Sequence, residues 1–181
     1  MKRFGAVFII LLVVIGPGCM NDKDSSKKSD QVNSQVSVKV SEKSPAALSK
    51  TMPFQILAQE IETWSGHLDL INDQGPATTE IKVTTPRLKL MGWFGDTARG
   101  VTPVKAAFYF KNGEVFYYAE MPLNLVRPDV AEAFKKKNLA NSGFDFIVDI
   151  SELPSGKYEI GFLGQTKTAA GKCASEFSIV K

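Results

Sequence analysis

Residues 105–120 read Lys105-Ala106-Ala107-Phe108-Tyr109-Phe110-Lys111-Asn112-Gly113-Glu114-Val115-Phe116-Tyr117-Tyr118-Ala119-Glu120. Two aromatic-rich runs with strong strand preference flank an Asn-Gly pair, the dipeptide that tolerates the two positive φ values of a type I′ turn. The spacing predicts an antiparallel hairpin turning on Asn112-Gly113, with Lys111 opposite Glu114, Phe110 opposite Val115 and Lys105 opposite Glu120. Opposite charges then meet at both ends, which favours that register. Because strand side chains alternate, one face carries Ala106, Phe108, Phe110, Val115, Tyr117 and Ala119 without a charge, and is expected to face the core. The other face sets Tyr109, Phe116 and Tyr118 among the charged pairs, a surface on which a sugar or a partner protein can stack.

Outward from the hairpin, the same short alternating runs recur between turn residues. Strands are predicted near 66–72, 79–84, 87–94, 103–111, 114–121, 143–150, 157–163 and 173–180, the pattern of an all-β sandwich or barrel. Residues 54–64 read as either a strand or a short helix. Between 122 and 142, Asp129 and Glu132 have capping-box spacing and predict one short helix. Lys135, Lys136 and Lys137 fall at its C-terminal end, where they complement the macrodipole, and the helix is expected to cover Phe116 or Tyr118. Residues 53–181 are assigned to a single β-sandwich domain, long enough to hold one core.

The N-terminus is of another kind. Lys2 and Arg3 precede an apolar run from Phe4 to Ile15, the length of an export signal rather than a bilayer span. Residues 20–51 are rich in Ser, Lys, Asp and Asn and hold no aromatic side chain, so they bury too little apolar surface to offset the entropy of ordering. Residues 1–18 are read as a signal peptide and 19–52 as a flexible linker with a reach on the order of 30 Å. The chain's net charge of +3 sits in these segments, since from Met52 onward 14 basic residues face 15 acidic ones. The basic stripe of a nucleic-acid-binding protein is therefore not expected. One His and two Cys leave no donor set for a metal cage or a disulfide framework, and no cofactor is expected.

Individual residues add little chemistry. Ser65, His67 and Asp69 name the members of a catalytic triad, but on one strand they share a face and do not converge on a reacting atom. Asp145 and Asp149 read as solvated, Trp93 as a core or rim residue with ligand stacking as its alternative, and Arg127 with Asp129 as a brace at the hairpin-to-helix corner. Cys173, without a partner, is expected to be buried and inert.

Two resemblances extend this reading. Gly16-Pro17-Gly18-Cys19, after the apolar run, resembles the lipobox of bacterial lipoproteins. That resemblance implies cleavage before Cys19, acylation of its sulfur and amine, and anchorage in a bacterial cell membrane. Several acyl chains, at about 0.8 kcal/mol per buried CH₂, make such an anchor effectively permanent. Met20 is not the Asp that marks inner-membrane retention in Gram-negative lipoproteins, so the outer membrane is the favoured destination there. Further along, Gly66 to Asn72, Gly92-Trp93, Tyr117-Tyr118-Ala119, Arg127 to Ala131, Asn141 to Phe144 and Asp149 to Gly156 follow one another in a familiar order. They resemble small immunoglobulin-like β-sandwich domains appended to cell-envelope and glycan-related proteins. This implies an antiparallel immunoglobulin-like sandwich and supplies no catalytic residue. The expected function is non-enzymatic, with the domain binding or organising an envelope protein or glycan through Tyr109, Phe116, Tyr118 and Trp93. The alternatives are a hydrolase or transferase accessory using His67 with a carboxylate, and a purely structural envelope protein.

Overall fold

The hairpin forms, turning one residue later than expected. In the computed structural model, which describes residues 44–58 and 60–181, β5 (Lys105–Asn112) pairs with β6 (Val115–Glu120) around Gly113-Glu114, and Asn112 lies opposite Val115. Gly113 takes a φ of 57° while Asn112 stays out of the left-handed region, which suits a turn with glycine at its first central position and not the Asn-Gly turn. Every cross-strand partner moves by two, so Phe110 faces Tyr117 and Ala107 faces Glu120. A shift of two preserves parity, and the division into faces survives. The charged end pairs do not form. Lys111 sits opposite Phe116 and finds Glu159 instead, 3.5 Å away.

Seven further strands complete an all-β architecture: β1 (Ile61–Thr63), β2 (Ser65–Ile71), β3 (Glu80–Lys82), β4 (Arg87–Gly95), β7 (Gly143–Asp149), β8 (Lys157–Gln165) and β9 (Ala170–Val180). One sheet runs β1-β9-β8-β5-β6 with β3 also paired to β9; the other runs β2-β4-β7. The chain changes sheets at Trp64. Its backbone N–H still donates to Lys172 of the first sheet, while Ser65 pairs with Gly95 in the second. The Trp64 ring occupies the space that a side chain at Gly171 would need.

A single core lies between the sheets. Phe94 and Phe144 from the smaller sheet meet Phe162 from the larger at centroid distances of 5.4 and 5.6 Å, and Phe108 meets Phe146 at 6.3 Å. Fully buried aromatic rings of this size each supply a few kcal/mol of burial, and their offset and edge-on contacts add to it.

Residues 44–52, assigned by composition to the linker, belong to the folded unit. Ala46 donates to Ile147 and accepts from Asp149 along the free edge of β7, and Ser49 exchanges both backbone hydrogen bonds with Tyr118 on the free edge of β6. The Asn124 side chain covers both backbone groups of Asp145, and the Leu125 amide donates to Gly143. These bonds close strand edges that would otherwise template pairing with another chain. Composition registers apolar burial and is blind to backbone pairing of this kind. Beyond Ser49, Phe54 is buried with Ala107 and Leu163 on the outer face of the larger sheet, beside Met52 and Ile56.

The helix, α1 (Pro128–Ala133), starts before Asp129: Arg127 is its N-cap, Pro128 opens the first turn, and Asp129 lies within that turn with its carboxylate held by Arg127, so no capping box forms. Lys135, at a φ of 54°, lies past the C-cap. Its amide donates to Glu132 and that of Lys136 to Ala131, so these two close the helix through backbone bonds, Lys137 opens a 3-10 turn (Lys137–Asn141), and none of the three occupies the helix's last turn. The chain packs on Trp93 through Phe134, the helix C-cap, at 5.4 Å and not on Phe116 or Tyr118; Tyr109 and Tyr118 pack instead with Met52, Phe54 and Ile56.

Candidate functional site

On the outer face of the larger sheet, Tyr109 from β5 and Phe116 and Tyr118 from β6 come together. Tyr109 meets Phe116 edge-on at 5.8 Å, and the rings of Phe116 and Tyr118 are parallel within 8° at 5.9 Å. All three are half-buried. They line a groove of about 380 Å³ together with Met52, Leu163, Lys111, Glu159, Lys172, Ala174 and Ile61. That volume lies in the range of small-ligand sites, and the lining has their usual character, mostly apolar with a few placed charges.

The groove exists because two outward positions in its middle carry almost no side chain. Gly161 on β8 lies between Tyr109 on β5 and Ala174 on β9 in the ladder. A Cβ there would run into the Tyr109 phenol and the Cys173 carbonyl, so the tyrosine ring lies across the bare backbone of β8. The ammonium of Lys111 stands 5.8 Å from the Phe116 ring centre and 3.5 Å from Glu159. It is shared between a carboxylate and an aromatic face. Burial pushes the hydroxyls of Tyr109 and Tyr118 above the ordinary phenol range, so both remain neutral donors near neutral pH. A larger hollow of about 470 Å³ between β2 and β3 is lined by Gln74, Gly75, Pro76 and Thr78 and has no aromatic wall.

Trp93 is not part of this groove. It projects from the other sheet onto Phe134. The Ser65, His67 and Asp69 side chains turn to three different partners. The Ser65 hydroxyl pairs with Thr97 at 2.9 Å, His67 approaches Glu176 at 3.9 Å, and Asp69, at a bulge in β2, binds Arg127. Arg127 also grips Asp129 at 3.0 and 2.7 Å, bracing the corner as expected. That fork holds the Asp129 carboxyl down at about 2. The Ser151 hydroxyl, with the Ser151 amide that donates to Asp149 at 2.9 Å, lowers the Asp149 pKa. Cys173 is half-buried against the core, and burial raises its thiol pKa, which disfavours the nucleophilic thiolate. Cys19 lies outside the described residues.

Sequence reasoning found the aromatic wall and Lys111 beside it, and missed the rest of the groove. Glu159, Gly161, Lys172 and Ala174 come from strands whose pairing with the hairpin no local pattern announces, and Met52 comes from the stretch read as linker. The available signal was Gly161, a glycine interrupting an otherwise alternating strand at an outward position.

No family model matches the chain, and no curated protein matches its sequence. Among solved structures there is a match to the endo-beta-1,4-mannanase from Thermotoga petrophila, with 10% identity over 67% of this chain and 20% of that one, at a TM-score of 0.37. The chain thus spans about a fifth of that enzyme's length, and a likeness at this level carries no argument about fold or function.

Proposed function

We propose that this chain is a bacterial lipoprotein, anchored through acylated Cys19, whose immunoglobulin-like domain binds an envelope protein or glycan in the groove of Tyr109, Phe116 and Tyr118 without chemical turnover. The observation that carries this reading is the groove itself, a concave, half-buried aromatic surface bordered by Lys111, Glu159 and Lys172. The lipobox-like Gly16-Pro17-Gly18-Cys19 after the apolar run supports the anchor, with an outer-membrane destination if the cell is Gram-negative.

Three features support the immunoglobulin-like assignment. The order β2-β4-β7 corresponds to strands A-B-E, and β9-β8-β5-β6 to G-F-C-C′. The early strands β1 and β3 run parallel to the last strand, as an A′ strand does. At the start of β8, the Tyr158 hydroxyl donates to the Pro154 carbonyl at 2.8 Å, a tyrosine-corner bond.

The test uses full-length protein to capture components of detergent-solubilised envelope, comparing Tyr118→Ser with Trp93→Ser. Capture is expected to be lost with Tyr118→Ser and kept with Trp93→Ser, and equal capture by both variants contradicts the groove. Fractionation of a Cys19→Ser variant addresses the anchor: release into the soluble fraction is expected, and unchanged membrane retention contradicts it.

A further inference from the structure

Resting on the groove as a binding site, we propose that its ligand is a linear oligosaccharide bearing carboxylates, lying across the strands. The groove crosses β6, β5, β8, β9 and β1 in turn. Four inter-strand steps of about 4.8 Å make it roughly 19 Å long, room for several sugar rings. An occupant in this direction lies perpendicular to the strands and on their face, not along a free edge.

That placement discriminates between ligand classes. The backbone beneath the groove belongs to the sheet, with Tyr109 paired to both Tyr118 and Gly161, and Gly161 to Ala174. The groove therefore offers its occupant side chains: two phenols, two ammonium groups, one carboxylate, and aromatic and aliphatic surface. An extended peptide brings an N–H and a C=O at nearly every residue, and burying them without partners is costly. A sugar ring brings hydroxyls that both donate and accept, matching phenol, ammonium and carboxylate, and a C–H face suited to the negative face of an aromatic ring.

Charge narrows the class further. Glu159 answers Lys111, whereas Lys172 is exposed and has no ion-pair partner among the described residues. The groove thus carries one uncompensated positive charge beside its small-residue floor, complementary to a sugar carboxylate.

The probes are a β-1,4-linked glucose hexamer, the same hexamer oxidised to the uronic acid at every C6, and an uncharged hexapeptide of alternating Val and Thr. Each is titrated calorimetrically into the full-length protein in detergent. The uronate hexamer is expected to bind more tightly than the neutral one, and only the uronate should weaken as NaCl rises from 20 mM to 500 mM. Lys172→Gln, which removes an exposed side chain, should weaken the uronate about three- to fivefold towards the neutral hexamer and leave melting unchanged. Equal binding of the two sugars, a uronate affinity indifferent to Lys172→Gln, or binding of the peptide alone overturns the proposal. If neither sugar binds while capture of an envelope component still depends on Tyr118, the ligand class is wrong and the groove stands. If capture is also indifferent to Tyr118, both readings fall.

Discussion

The hairpin β5–β6 carries aromatic residues on both faces, and the two sets differ in surroundings more than in composition. Inward, Phe108 and Phe110 are 0% exposed and packed among Phe146, Phe162 and each other. Outward, Tyr109, Phe116 and Tyr118 are half-buried; the 52–56 segment packs on Tyr109 and Tyr118, and the face is otherwise open over Gly161 and Ala174. Similar rings on one hairpin thus serve two ends. Phe108 and Phe110 are held on all sides, Tyr117 at the hairpin's edge is half-buried, and the outward set keeps surface that a ligand can cover.

The sharpest way to break this contrast is to truncate one ring from each face. Phe108→Ala should cost about 3–5 kcal/mol, since the cavity would open among rings that cannot collapse. Phe116→Ala should cost about 1 kcal/mol, because its side chain already meets solvent. Chemical denaturation of both variants checks this, and equal losses would make the outward face a second core. Phe54→Ala comes next, at about 2–3 kcal/mol, because Phe54 is 7% exposed and covers Ala107 and Leu163. Hydrogen exchange at the Tyr118 amide should accelerate with it as the Ser49 pairing loosens. Gly161→Ala should cost about 1–3 kcal/mol through overpacking against Tyr109 and the Cys173 carbonyl, with near-ultraviolet circular dichroism reporting the displaced tyrosine.

The smallest effect belongs to Asp129. Its carboxyl is held at about 2, below its ordinary value of 3.8, by the Arg127 fork. A lowered acid contributes stability that is fully present above pH 3.8 and lost as pH falls through about 2. Asp129→Asn should therefore flatten the decline in melting temperature between pH 4 and pH 2 slightly, and thermal melts across that window measure it.

The all-β class and the partition of the hairpin's faces were legible because alternation is a local signal and survives a register shift of two. The turn was misplaced because Asn112-Gly113 and Gly113-Glu114 are both credible two-residue loops, and only Gly113 takes a positive φ, which suits the second. The capping box misled because the helix begins at Pro128, a residue whose fixed φ suits a first turn, which places Asp129 inside the helix and beside Arg127. The 44–52 segment was hidden for another reason: edge pairing uses backbone groups, which every residue carries.

The most direct test of the outward face is a single preparation of Phe116→Ser assayed twice, for melting temperature and for capture of solubilised envelope components. A loss of capture with a melting temperature lowered by only a few degrees is the predicted result. Capture equal to wild type, or a fall in melting temperature as large as that of Phe108→Ala, would contradict it.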